Sequence, residues 1–163
     1  MHREDQFIPH LCVSDGLAAL EFYKTVFGAE EGDRMMAPDG KRLMHGEIII
    51  DGHKCFLSDE FSEDEGGTVK TPQTLGGGTC VRVTLEVDDA DGVVARAVAA
   101  GSRVLMAPQD LFWGARYGKI ADPFGHECGI NQQLKEQSPE ETKAAAAKFF
   151  ARGKSDDSVP GSD

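Results

Sequence analysis

The sequence predicts an α+β fold of two tandem βαβββ modules with curved, mixed sheets. Three short motifs recur in the same order, which is the signature of an internal repeat. The motif pairs are Val13-Ser14-Asp15 with Val87-Asp88-Asp89, Met36-Ala37-Pro38 with Met106-Ala107-Pro108, and Gly52-His53-Lys54-Cys55 with Gly125-His126-Glu127-Cys128. Their offsets of 74, 70 and 73 residues differ only as much as loops of unequal length require.

The first module opens with a strand over residues 7–13 that leads into an Asp suited to cap a helix. In the helix that follows, Leu20, Tyr23 and Phe27 recur at helical spacing, and Gly28 stands where a helix commonly ends. Three strands are then predicted over residues 33–37, 42–50 and 54–58.

The second module repeats this order. A strand over residues 80–87 precedes a helix whose apolar stripe is Val94, Ala97 and Val98 and which ends at Gly101. Its three further strands are predicted near residues 103–106, 116–121 and 127–131.

Two segments depart from the repeat. The resulting plan is a first module (1–60), an acidic and Gly-rich linker loop (61–79), a second module (80–133), a C-terminal helix (134–152) and a mobile tail (153–163). The C-terminal helix begins at the capping box of Ser138 and Glu141. A loop as long as 59–79 is a lid, a binding loop or a disordered linker, and we expect it to be the most mobile internal segment because its acidic residues cannot bury.

Composition excludes several classes of partner. The net charge of −11 argues against binding to nucleic acid or to an anionic membrane surface. No apolar run approaches the roughly 20 residues that a membrane span needs, and the polar N-terminus does not resemble a signal peptide. The four cysteines are widely spaced, as in reduced proteins, so we expect a cytoplasmic protein.

Strand alternation separates an apolar face from a polar face in each module. The apolar positions must pack against the helices, so the opposite face is predicted to carry the polar side chains. These are His10, His45, Glu47, Arg82, Thr84, Glu86, Glu127 and Asn131. If both sheets curve the same way, the polar groups of the two modules converge on one concavity, although each could also be an ordinary solvated side chain.

The segment around the only Trp adds an aromatic and a cation to this site. Trp113 comes just before Gly114, and Arg116 lies between Gly114 and Gly118 at the start of a predicted strand. An aromatic beside a guanidinium can clamp a planar or anionic ligand. On its predicted strand, Arg116 lies on the same side as Gly118 and Ile120. The repeat places these two residues opposite His45 and Glu47. We therefore expect one wall of a pocket at Trp113 and Arg116. The alternative is that Trp113 fills a gap between the modules.

Three stretches resemble the PhnB-like branch of the glyoxalase/bleomycin-resistance (vicinal oxygen chelate) superfamily. They are IPHLCVSDGLAALEFYKTVFGAEE, MHGEIIIDGHKCFLSDE and FWGARYGKIADPFGHECGINQ, and the resemblance extends over about residues 6–150. It implies paired βαβββ modules that enclose a ligand cavity, commonly in a homodimer.

The resemblance also implies four metal-ligand positions, one on each of four strands. Carried over by the repeat, these positions fall on Ile8, Phe56, Arg82 and Gly129, none of which supplies a metal ligand. The expectation is therefore no metal cofactor at the family-standard site.

The sequence thus predicts a cytoplasmic protein that binds a small polar or anionic ligand, with no family-standard metal, in a homodimer. The predicted ligand-binding residues are His10, Arg82, Thr84, Trp113, Arg116 and Glu127. One alternative is a lyase, isomerase or dioxygenase that uses a divalent metal at a non-standard site, with His10, His45 and Glu47 as ligands or proton carriers. Another is a non-catalytic dimeric interaction module. Ligand identity, catalysis, and whether modules pair within a chain or across a dimer stay open.

Overall fold

A computed structural model describes residues 7–153, and the expected mobile tail after Gly153 lies outside this range. Both predicted modules are present, which confirms the fold class. The first consists of β1 (His10–Val13), α1 (Gly16–Phe27), β2 (Glu30–Met36), β3 (Leu43–Ile50) and β4 (His53–Asp59). The second consists of β5 (Arg82–Glu86), α2 (Ala90–Ala99), β6 (Arg103–Asp110), β7 (Ala115–Ala121) and β8 (Glu127–Gln133). A final helix, α3, spans Pro139–Gly153.

Each module forms its own four-stranded mixed sheet. The strand orders are β1-β4-β3-β2 and β5-β8-β7-β6, so the first strand of each module pairs in parallel with its last strand. The two registers are equivalent, since His10 pairs with Phe56 as Thr84 pairs with Gly129. The repeat seen in the sequence is therefore a repeat of strand pairing.

Local capping explains where the helices begin and end. The side chain of Asp15 accepts a hydrogen bond from the Ala18 N–H, and Asp89 caps α2 in the same way. Gly28 ends α1 with a φ of 67°, a left-handed conformation that glycine adopts without steric cost. The predicted capping box of α3 is also present, with the Ser138 and Glu141 side chains bonding each other's backbone N–H groups.

Helices α1 and α2 lie between the two sheets. Each helix packs on the apolar side of its own sheet, and the two helices contact each other. As a result one buried core contains Leu20 of α1, Val94 of α2, Ile48 of the first sheet and Ile120 of the second. The modules are therefore joined back to back, and the polar side of each sheet faces away from the shared helix layer.

A buried hydrogen bond ties the modules together at this layer. The hydroxyl of Tyr23 in α1 donates to the carboxylate of Asp122, in the turn before β8. Asp122 also accepts the backbone N–H groups of Phe124 and His126, while the His126 ring contacts the carbonyl of Cys12. Burial is the main cause that raises the pKa of both Tyr23 and Asp122.

The linker has more structure than the sequence suggests, and the expectation that its acidic residues cannot bury is wrong for Asp59. Asp59 ends β4, is buried, and accepts the backbone N–H groups of Gly16 and Leu43. A charged group can be buried when backbone donors replace its water shell. A short 3-10 turn follows at Glu63–Glu65, and Thr71 is also buried.

Several element boundaries also differ from the predicted ones. Strand β2 begins at Glu30, three residues earlier than predicted, and β6 continues to Asp110, four residues later. Both are edge strands whose residues are mostly exposed, so their apolar signal is weak. Strands β1 and β5 are shorter than predicted because pairing begins only at His10 and Arg82.

We predict that Tyr23→Phe lowers the free energy of unfolding by about 1–3 kcal/mol, because it leaves a buried carboxylate without one of its donors. Urea denaturation of the purified protein measures the change. Tyr117→Phe is a matched control, since Tyr117 is only half-buried, and we expect an effect within about 0.5 kcal/mol. Equal stability of the wild type and Tyr23→Phe would contradict the role assigned to this link.

Candidate functional site

The polar side of the first sheet carries the two predicted histidines. We call this surface the first face; it comprises His10, Cys12, His45, Glu47, Lys54, Phe56 and Ser58. The ring centroids of His10 and His45 are 6.4 Å apart, and the Phe56 ring lies 4.7 Å from that of His45. The sequence therefore predicted correctly that His10 and His45 share a face.

His10 is held by a neighbour that the sequence reasoning missed. Its Nε2 lies 3.0 Å from the hydroxyl oxygen of Ser58 on the adjacent strand. Burial lowers the pKa of His10 below its usual 6.5, and the nearby His45 lowers it further. Strand parity could have found Ser58, because it lies two residues beyond Phe56 on the same side of β4.

Glu47 is already engaged in an ion pair. Its carboxylate lies 2.6 Å from the Lys54 ammonium, and the side chain is almost fully buried against Gly32. A Cβ at position 32 would come to 3.0 Å from the Glu47 side chain, so any larger residue there would force that side chain to shift. Glu47 therefore lies on the same face as the histidines but is paired with a cation.

The polar side of the second sheet is the second face, with Arg82, Thr84, Glu86, Trp113, Tyr117, Lys119, Glu127 and Asn131. The Arg82 guanidinium donates to a Glu127 carboxylate oxygen at 2.5 Å, and the Lys119 ammonium lies 4.0 Å from the same oxygen. Two cations thus converge on one carboxylate. Arg82, Thr84 and Glu127 were predicted for this surface, whereas Tyr117 and Lys119 were not singled out.

Trp113 lies at one end of the second face. Its ring packs 5.7 Å from that of Tyr117, and its Nε1 is 3.5 Å from the Asn131 side-chain oxygen. The Asn131 amide donates to both carboxylate oxygens of Glu86. The indole is thus positioned beside polar groups on the open side of the sheet rather than in the layer between the modules.

Arg116 does not join this surface, so the predicted Trp113–Arg116 wall is wrong. The Arg116 guanidinium is paired with Asp91 at the start of α2 and with Asp110 of β6. The registers align Gly118 and Ile120 with Gly46 and Ile48, which all lie on the helix-facing side. Arg116 shares their parity and therefore points to the helix-facing side as well.

The polar groups of the two modules do not meet on one concavity within a single chain, one of the two arrangements that the sequence left open. The contacts of the first face lie within the first sheet, and those of the second face lie within the second sheet. The back-to-back packing of the modules explains this, because the helices occupy the space between the sheets.

The four positions implied for a metal do not suit one. The Phe56 ring packs beside two imidazoles, and Arg82 is bound to Glu127. At Gly129 a Cβ would come within 2.8 Å of the Thr84 hydroxyl and still closer to the Tyr117 hydroxyl, so a ligating side chain has no room there. Within residues 7–153, no three His, Cys, Asp or Glu side chains gather into a metal-binding group.

Comparison with known proteins agrees with this architecture. Residues 5–130 match the glyoxalase/bleomycin resistance protein/dioxygenase superfamily. The chain belongs to this superfamily. The Mycobacterium bovis protein Mb0911c is 42% identical over 142 residues, which cover 87% of this chain and 92% of that protein.

Two solved structures share the fold. TioX from Micromonospora sp. ML1 superposes with a TM-score of 0.61 at 26% identity, covering 80% of this chain and 99% of its own. The Arabidopsis thaliana protein At5g48480 does so with a TM-score of 0.61 at 26% identity, covering 77% and 97%. Among residues 7–153, no helix is both long enough and apolar enough to cross a bilayer.

We predict that His10 titrates with a midpoint below 6.5 in the folded protein, as measured by NMR of the imidazole carbon-bound protons. His45→Gln should raise the midpoint only partway, because burial is the larger cause of the lowered pKa. The unfolded chain then binds this proton at higher pH than the folded one. The lowered pKa of His10 therefore adds to the free energy of unfolding above pH 6.5. This contribution is lost as the pH falls from 6.5 through the pKa of the folded state. A midpoint at or above 6.5 contradicts the prediction.

Proposed function

We propose that this protein is a cytoplasmic, PhnB-like member of the superfamily that binds a small polar or anionic organic molecule in a homodimer. The ligand site forms where the first face of one copy meets the second face of another. The single observation that carries this proposal is the back-to-back packing of the modules. It leaves two faces with ligand-type side chains open on opposite sides of each chain.

Pairing of copies also suits an exposed apolar side chain on the first face. Met35, the pairing partner of His45, is 57% exposed. Strands β1 and β5 are sheet edges, which leave unpaired backbone groups that a partner can cover. A homodimer with closed symmetry would cover both faces of both copies, because each contact is made twice.

The charges on the second face favour an anionic or zwitterionic ligand. Two cations, Arg82 and Lys119, face the single carboxylate of Glu127, while the other carboxylate of this face, that of Glu86, is bonded to the Asn131 amide. A guanidinium can bind a carboxylate or phosphate through two parallel hydrogen bonds. Thr84 supplies a neighbouring hydroxyl, and Trp113 offers an aromatic surface for the less polar part of the ligand.

The proposed binding does not use the family-standard metal. Support comes from Ile8, Phe56, Arg82 and Gly129 at the four positions, and from the lack of space for a side chain at Gly129. The second candidate is an enzyme with His10, His45 and Glu47 as metal ligands or proton carriers, which the proximity of the two imidazoles favours. Metal analysis of purified protein separates the two: about one tightly held divalent ion per chain supports the enzyme.

We predict a homodimer, with a mass about twice the 17.6 kDa of one chain in light scattering at micromolar concentration. Met35→Glu should weaken it, because a charge would be buried against the partner. Leu75→Glu is a control on the linker, because Leu75 is an exposed apolar residue that lies on neither face. A wild-type mass near that of one chain would refute the dimer.

We predict that Arg82→Ala weakens ligand binding by about tenfold or more, because a charge-assisted hydrogen bond contributes about 1.5–3 kcal/mol. Trp113→Ala should weaken it to a similar degree, because it removes the aromatic surface for the less polar part of the ligand. A panel of small carboxylates and phosphate monoesters is first screened against the wild type by the fluorescence of the only Trp. The affinity of Arg82→Ala for the ligand found is then measured in the same way. Calorimetry then measures the same ligand with Trp113→Ala.

Arg116→Ala is the matched control for Arg82→Ala, because it removes an arginine of similar charge from the helix-facing side. We expect unchanged affinity. Loss of affinity in Arg116→Ala with none in Arg82→Ala would place the ligand elsewhere, and failure of every compound in the panel to bind would contradict the proposed ligand class.

A further inference from the structure

The linker covers a small cavity at one end of the first face. The cavity has a volume of about 260 Å³, slightly below the roughly 300–1,000 Å³ of typical ligand pockets. Its walls include Cys12, Met44 and Ser58 from the sheet, and Phe61, Thr68 and Val69 from the linker. All of these residues belong to one chain, so this cavity does not depend on the proposed dimer.

The second half of the linker, around Thr71 and Thr74, is held in place by Glu60. One Glu60 carboxylate oxygen accepts the Thr71 N–H at 2.8 Å and the Thr74 hydroxyl at 2.7 Å. These bonds account for the lowered pKa of Glu60, with the Thr71 backbone bond as the largest cause. The carboxylate is therefore used to hold the linker and is not directed at a ligand.

The first half of the linker, around Phe61 and Glu65, is held in place by Arg42. Its guanidinium donates to Glu65 at 2.6 Å and to Asp39 at 2.7 Å, and it lies 4.5 Å from the centre of the Phe61 ring. Glu65 also accepts hydrogen bonds from the Ser62 backbone and hydroxyl. The linker wall is thus preorganised, and the cation nearest to it is already shared between two carboxylates.

Ser58 supplies the hydroxyl group that the sheet contributes to the cavity, and Thr68 of the linker lines it as well. The Ser58 hydroxyl oxygen lies 3.0 Å from His10 Nε2. It can donate to a ligand when the imidazole N–H donates to Ser58, and it can accept from a ligand when Ser58 donates to the imidazole. The Cys12 thiol beside it points to the Val69 carbonyl, and burial raises the pKa of this thiol to about 11, which keeps it neutral.

The surroundings disfavour an anion in this cavity. Asp59 and Glu65 line it, Glu60 lies next to them, and their carboxylates are held by backbone N–H groups, hydroxyls and Arg42. An anionic ligand would enter a region where the carboxylates of Asp59, Glu60 and Glu65 outnumber the two nearby cations, Arg42 and Lys70, which are paired with Glu65 and Glu60. A neutral molecule would not be repelled there. This preference is the reverse of that on the second face.

We propose that the cavity under the linker is a second binding site, for a small uncharged molecule that combines an amide, carbonyl or hydroxyl group with an apolar body. The polar group of the ligand bonds the Ser58 hydroxyl, which His10 orients. The apolar body packs among Met44, Phe61 and Val69.

Benzamide and benzoate test this site, because they have nearly the same shape and differ in charge. Each is titrated into isotope-labelled full-length protein and followed by NMR. Benzamide should produce saturable shifts at Cys12, Ser58 and Val69, and benzoate should bind there at least about tenfold more weakly. Equal binding of the two compounds, or saturable shifts only at other residues, overturns the proposal.

Ser58→Ala should weaken benzamide binding about three- to tenfold, the effect of one lost hydrogen bond. Ser14→Ala is the matched control, since Ser14 is exposed outside the cavity, and it should leave benzamide binding unchanged. Val69→Trp, at a partly exposed position, should block the cavity without removing a buried group. Unchanged binding in both Ser58→Ala and Val69→Trp contradicts the site, whatever the outcome at the second face.

Discussion

Burial of the apolar side of each sheet against the helices α1 and α2 is the constraint on which the rest of the structure depends. A four-stranded sheet with one apolar side must cover that side, and here both sheets use the same helix layer. Because side chains alternate along a strand, the polar side of each sheet then has to point outward. The position of His10 and of Arg82 on opposite outer surfaces follows directly from the packing of residues such as Val13 and Leu85.

The two outer surfaces differ in charge in a way that the common fold does not require. At equivalent registers the first face has His10 beside Phe56, and the second face has Thr84 beside Gly129. The second face concentrates Arg82 and Lys119 around one carboxylate, while the linker brings carboxylates to the end of the first face. A duplicated module has thus acquired two chemically distinct surfaces, which suits a site assembled from one surface of each kind.

Sequence patterns were enough to predict the fold and to place His10, His45, Arg82 and Thr84 on the outward sides of the sheets, because both depend on short-range periodicity. The repeat, the Asp caps and the alternation of Val83 and Leu85 with Arg82 and Thr84 all correspond to the structure. Arg116 was misplaced because the repeat was aligned one residue out of register, with Gly118 and Ile120 set opposite His45 and Glu47 instead of Gly46 and Ile48. In fact it reaches Asp91 at the end of the helix layer. Asp59 was misjudged because its backbone donors, Gly16 and Leu43, are distant in sequence, and Ser58 is adjacent to His10 only through strand pairing.

The central claim is that the first face of one copy meets the second face of another, and cross-linking of mixed dimers tests it most directly. Lys54 lies on the first face and Lys119 on the second. Copies grown with ¹⁴N and ¹⁵N are mixed, cross-linked with a lysine-specific reagent and analysed by mass spectrometry. A face-to-face dimer gives Lys54–Lys119 cross-links that join a light peptide to a heavy one. Interchain cross-links confined to lysines outside the two faces, such as Lys24 and Lys148, would contradict it.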